Sequence, residues 1–140
     1  MLAVRLAAEH GDLDLEPIEA AQRSFATIVE SAADVRDPES VAAMREADDR
    51  FHGAIVRAAR NPYVADALFP LKVLARRFEN HYFGTTSNIV RASVADHDQI
   101  LAALRRHDPV AAAQITRRNW ERSLHVLGKP RGPVVRCRMR

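Results

Sequence analysis

The chain has little cysteine and no long apolar run. Cys137 is the single cysteine among 140 residues, so there is no disulfide framework and a reducing compartment is indicated. No apolar segment approaches the length of a membrane span, and the N-terminus lacks a basic segment followed by a signal-peptide core. These absences predict a cytoplasmic protein with no membrane partner.

Most of the chain also lacks an excess of positive charge. The net charge is +3, but residues 128–140 hold five basic residues and no acidic one, which leaves 3 − 5 = −2 for residues 1–127. Binding to phosphates needs clustered cations, so nucleic-acid binding by residues 1–127 is poorly supported. Glycines and prolines accompany the basic residues of the C-terminal segment. We therefore expect one domain over residues 1–127 and a basic, flexible tail over residues 128–140, whose contact with DNA or another acidic surface stays open.

Strand-like alternation is absent, and helix starts are clearly marked. Three dipeptides place a capping side chain directly before a proline: Asp37-Pro38, Asn61-Pro62 and Asp108-Pro109. Apolar residues recurring at the helical period predict six helices, near residues 2–10, 14–33, 38–60, 62–83, 88–106 and 109–127. Short connections favour antiparallel neighbours, so the expected fold is an all-α antiparallel bundle with one core.

Two of the helices carry more specific expectations. In the fourth helix we expect Pro70 to bend or break the helix. The apolar residues predicted to point inward from the fourth helix are Val64, Leu68, Leu71, Leu74 and Phe78. Those of the sixth helix are Ile115, Trp120, Leu124 and Leu127.

The most informative pattern is an acid and two imidazoles on apolar helix faces. Asp48 and His52 are four residues apart, so both point the same way from the third helix. His97 lies on the apolar stripe of the fifth helix. An uncompensated charge on such a stripe would be costly, and one carboxylate with two imidazoles is a plausible ligand set for a divalent metal.

Simpler interpretations exist for each of these residues taken alone. An Asp and a His at this spacing often form only an intrahelical hydrogen bond, and a lone buried His commonly pairs with a backbone carbonyl. The three together favour the metal site.

The residues around this pattern resemble a known family. The segments Asp48-x-x-Phe51-His52-x-x-Ile55-x-x-Ala58-Ala59-x-Asn61-Pro62 and His97-x-x-Ile100-Leu101-x-Ala103-Leu104-x-x-x-Asp108 are similar to the FCD domain, the C-terminal effector-binding domain of FadR-type GntR transcription regulators. Motif order and helix layout extend the resemblance over roughly residues 4–127. The resemblance implies a helical bundle that forms a homodimer and holds a small carboxylate effector at its centre, in many members with a divalent metal.

The family's metal ligands map onto this chain with one departure. Asp48, His52 and His97 match the first three ligand positions, whereas the position of the family's last histidine is Asn119. An amide oxygen is a weaker ligand than imidazole for zinc-like ions. Three outcomes stay open: a zinc, nickel or manganese ion held by the three residues with Asn119 or water, a weaker site for a harder ion, or a metal-free pocket that binds the effector through hydrogen bonds.

Two further residues are candidates for binding the effector. Arg77 and His81 flank the apolar stripe of the fourth helix, and they could form a cationic wall for a carboxylate because guanidinium matches carboxylate geometry. Such residues are more often simply solvated.

The resemblance implies that the domain is a sensor rather than an enzyme. FadR-type regulators carry a winged helix-turn-helix ahead of this domain, the first helix here looks truncated, and DNA contact is expected only through that missing domain. The expected function is effector sensing and dimerisation. One alternative is a metal-dependent hydrolase or lyase using the same site, although a His-Glu-x-x-His motif is absent and Asp49 is expected to turn away from the stripe. Another is a helical adaptor that binds no ligand.

Overall fold

The computed structural model describes residues 1–83 and 87–127, with side chains described for residues 1–72 and 90–122. Its elements are α1 (Leu2–Glu9), α2 (Glu16–Ser31), α3 (Pro38–Ala58), α4 (Pro62–Phe83), α5 (Ser87–Arg105) and α6 (Pro109–Leu127). No strand occurs in these two described ranges. The all-α prediction is confirmed, and each helix boundary lies within a few residues of its predicted position.

The three acid-proline or amide-proline pairs act as the predicted helix caps. The carboxylate of Asp37 accepts hydrogen bonds from Glu39 N at 3.1 Å and Ser40 N at 3.0 Å, the first two backbone N–H groups of α3. The side chain of Asn61 accepts from Val64 N at 3.1 Å at the start of α4. Asp108 accepts from Ala111 N at 2.9 Å at the start of α6. Each side chain satisfies a donor that has no partner inside its helix.

The helices bury two neighbouring apolar clusters. α2 packs against α3 and α5, α5 packs against α6, and α1 fills the space between α3 and α6. One cluster is built around Ile18, Phe51 and Leu104, and the other around Phe25, Met44 and Val90. Close packing of this kind fixes α3 and α5 relative to each other, and these are the two helices that carry the candidate ligands.

The predictions for α4 and α6 need correction. The predicted break at Pro70 is wrong, because α4 continues through this residue; the alternative, a bend at Pro70, stays a prediction. Leu68 and Leu71 are exposed rather than inward, with 58% of Leu71 accessible to water, and Trp120 on α6 is 40% exposed. The reason is that α4 contacts α3 and α6 only along part of its surface, so its apolar residues outnumber the buried positions available to them. Leu74, Phe78, Leu124 and Leu127 lie outside the described side chains.

Candidate metal centre

Asp48, His52 and His97 converge in the middle of the bundle. One ligand atom from each of the three lies within 4.8 Å of the others. His52 Nε2 is 3.7 Å from Asp48 Oδ2, and His97 Nε2 is 3.4 Å from Asp48 Oδ1. Asp48 and His52 share one face of α3 because of their four-residue spacing, and α5 supplies His97 from the opposite side. The sequence prediction that these three residues meet is confirmed.

Aromatic packing holds His97 rigidly in place. Its ring is fully buried and stacks on Phe51 at a centroid distance of 3.9 Å and an interplanar angle of 16°. Phe25 from the second apolar cluster contacts the same ring at 5.0 Å. The ring is therefore fixed between the two clusters, and its orientation cannot change without repacking them.

A hydrogen-bond chain from α2 determines which nitrogen of His97 faces Asp48. The amide nitrogen of Gln22 donates to Val94 O at 3.1 Å and to Asp98 Oδ1 at 2.9 Å. Those two bonds use the amide hydrogens, so Gln22 Oε1 is the acceptor for His97 Nδ1 at 3.0 Å. The proton of a neutral His97 is then on Nδ1, and its lone pair is on Nε2.

His97 Nε2 is a buried polar atom with no hydrogen-bond partner among the described residues. Burial lowers the pKa of His97 well below its usual range, and neighbouring His52 adds to this effect. Burial, with a smaller contribution from the charge of Lys72, lowers the pKa of His52 to about 4. Both imidazoles are therefore neutral at pH 7, and a lone pair of His97 faces the Asp48 carboxylate. This arrangement is unfavourable without a cation between the two groups and fits a divalent metal well.

The fourth predicted ligand, Asn119, contacts Asp96. Asn119 is buried on α6, and its amide nitrogen donates to Asp96 Oδ2 at 3.5 Å. Asp96 also pairs with Arg118 at 2.9 Å and Arg122 at 2.6 Å. These bonds orient the Asn119 amide, and its role as a metal ligand stays a prediction.

Sequence reasoning missed Gln22 and placed Asp49 wrongly. Gln22 was overlooked although a polar residue among the inward residues of α2 is itself a signal of a buried hydrogen bond. Asp49 was expected to turn away, but it lines the same cavity as Asp48 and forms an ion pair with Lys72 at 2.8 Å. The predicted effector residues Arg77 and His81 lie outside the described side chains.

A cavity of about 520 Å³ opens beside the three ligands. Asp48 and His52 form one end of it, and residues of α3, α4 and α6 form its walls, among them Val56, Leu68 and Trp120. Its volume lies in the range of small-molecule sites. The geometry thus combines three side chains that could hold a metal ion with room for an organic ligand beside them.

Comparison with known protein families gives a match over most of the chain. A family model described as the FCD domain matches residues 1–122. No curated protein and no solved structure matches the chain. Within residues 1–83 and 87–127, no helix combines the length and apolar character needed to cross a membrane.

Proposed function

Because this chain belongs to the FCD domain family, the effector-binding domain of GntR-family regulators, we propose that it senses a small organic acid at a divalent metal. The observation that carries the proposal is the buried Nε2 of His97, which lies 3.4 Å from Asp48 Oδ1 and has no hydrogen-bond partner within the part of the chain that the structure describes. Asp48, His52 and His97 would hold the ion, and Asn119 or water would complete its ligands.

The acid would bind in the cavity beside these ligands. A divalent ion, when bound, supplies a concentrated positive charge for a carboxylate. Asp48 and His52 reach both the centre and the cavity, so an acid in the cavity lies next to the ligand set. Neutral His52 and His97 leave the net charge of the site positive once a divalent ion is present, which favours an anionic ligand.

Binding of the acid shifts the populations of two dimer arrangements and does not lead to a reaction. An effector that binds one arrangement of a dimer more tightly shifts the dimer toward it and alters the spacing of attached DNA-binding domains. Exposed apolar side chains on α4, including Tyr63 at 84% exposure, support self-association. We propose a homodimer over residues 1–127, with residues 128–140 as a basic tail.

Titration calorimetry of small carboxylates against the protein loaded with zinc, nickel or manganese tests this function. We expect at least one acid to bind the metal-loaded protein about tenfold more tightly than the metal-free protein, and Asp48→Asn to remove the difference. Binding of no acid in any metal form would contradict the proposal. Recovery of the acid by NMR separates sensing from the enzyme alternative, since turnover lost in Asp48→Ala with the fold intact would indicate catalysis.

A further inference from the structure

The walls of the cavity are apolar beyond its metal end. Val56 lies one helical turn after His52 on α3, and Leu68, Phe69 and Leu71 of α4 line the same cavity together with Trp120 of α6, whose ring centroid is 6.0 Å from that of His52. A hydroxyl or a second carboxylate placed against these side chains would lose water without gaining a hydrogen bond from them. The walls therefore favour hydrocarbon over a polyhydroxy chain.

Lys72, one of the cations that line the cavity, is already paired. Lys72 Nζ lies 2.8 Å from Asp49 Oδ1, and 39% of the Lys72 side chain and 17% of the Asp49 side chain are exposed. The carboxylate matches the ammonium charge, so a second anion would compete with Asp49 for Lys72. Arg57 lies at the exposed rim, where water and salt screen its charge. Among the side chains that the structure describes, the cavity thus offers one strong position for an anionic group, at the metal end.

We propose that the effector is a monocarboxylate with a hydrocarbon body, with its acid group at the Asp48 and His52 end and its body against Val56, Leu68 and Trp120. This inference rests on the proposed function, because it assumes that the cavity is the effector site. It goes beyond that function by excluding sugar acids and short dicarboxylates as the preferred class.

Matched acids of equal chain length test the inference. Calorimetry on the metal-loaded protein would compare acetate, butyrate, hexanoate and octanoate with succinate, adipate and suberate. We expect the affinity of the monocarboxylates to rise about two- to fourfold per added methylene until the cavity is filled. Each dicarboxylate should bind about tenfold more weakly than the monocarboxylate of the same length, because its second charge is desolvated against apolar walls. Tighter binding of the dicarboxylates would overturn the inference and would indicate a second anion anchor.

A pair of valine variants locates the hydrocarbon contact. Val56→Thr places a hydroxyl of similar size in the cavity wall and should weaken hexanoate binding about threefold or more while leaving acetate binding and metal content unchanged. Val110→Thr is the control, because Val110 is 57% exposed on α6 and does not line this cavity. Equal effects of the two variants on hexanoate would contradict the inference. Failure of all acids to bind would instead contradict the proposed function.

Discussion

At the scale of single residues, Gln22 determines how His97 presents itself to Asp48. The two donor bonds of the Gln22 amide leave its oxygen to accept from His97 Nδ1, which keeps the lone pair on Nε2. Partners of this kind orient metal-binding imidazoles in proteins generally. The proposed metal centre would therefore depend on Gln22, whose own side chain is bonded to His97, Val94 and Asp98.

Gln22→Met should weaken metal binding without emptying the site. Methionine has a similar length but cannot accept the hydrogen bond from His97. We therefore expect about a 10- to 100-fold loss of metal affinity, which is the typical effect of removing the hydrogen-bond partner of a metal-binding imidazole. Competition titration against a chelator measures the change. Gln114→Met on the exposed face of α6 is the matched control. Equal affinities of Gln22→Met and wild type would show that the orientation of His97 does not depend on Gln22.

Asn119→His tests the fourth ligand position. If the side chain at 119 reaches the ion, imidazole in place of the amide should raise the affinity for zinc, because imidazole is the stronger ligand for this metal. The same competition titration measures the gain. An unchanged zinc affinity with an intact fold would place residue 119 outside the ion's ligand shell.

The sequence alone predicted the three candidate ligands but not the hydrogen bond to Gln22 that orients His97. Asp48 and His52 were found because a four-residue spacing fixes a shared helix face, and His97 because it lies on an apolar stripe and at a family position. The partnership of Gln22 with His97 spans 75 positions, and no local pattern encodes which residue of α2 meets which residue of α5.

At the scale of elements, helix starts were predictable because their causes are local. A capping side chain and the following proline act within one turn, and all three such pairs begin a helix. Burial of α4 was not predictable in the same way. Its apolar residues fit an inward stripe, but which of them become buried depends on how much of α3 and α6 is available to cover them.

Asp37→Ala should destabilise the protein by about 1 kcal/mol while preserving metal binding. The substitution removes the two hydrogen bonds that Asp37 accepts at the start of α3, and loss of such a cap typically has this effect. Urea denaturation of the metal-free protein measures it as a lower midpoint with unchanged slope. Asp66→Ala, inside α4 and exposed, serves as the control and should leave the midpoint nearly unchanged. A comparable loss in both variants would contradict the role of Asp37 as a cap.

At the scale of the whole molecule, the proposed metal site would couple metal binding to folding. Asp48 and His52 come from α3 and His97 from α5, so the ligands are brought together only in the folded bundle. Any ion that binds the folded state alone must stabilise it. The predicted all-α fold makes this coupling possible, since it places distant segments on facing helices.

Removal of the metal should lower the melting temperature by roughly 10 °C. An ion present at about 100 times its dissociation constant contributes about 2.7 kcal/mol, and each kcal/mol corresponds to a few degrees for a domain of this size. Differential scanning calorimetry with and without a chelator measures the shift. His97→Ala should melt at the same temperature under both conditions. A chelator effect of equal size in that variant would locate the stabilising ion elsewhere.

The most direct test of the central claim is the metal content per chain of wild type, His97→Ala and His10→Ala, measured on untagged protein after loading with zinc, nickel or manganese. His10 is the matched control because its ring contacts Ala59 O, outside the metal centre. We expect close to one ion per chain in wild type and His10→Ala, and a loss of most of it in His97→Ala. Circular dichroism verifies that all three are folded. No ion in wild type, or equal content in all three proteins, would contradict a metal centre formed by Asp48, His52 and His97.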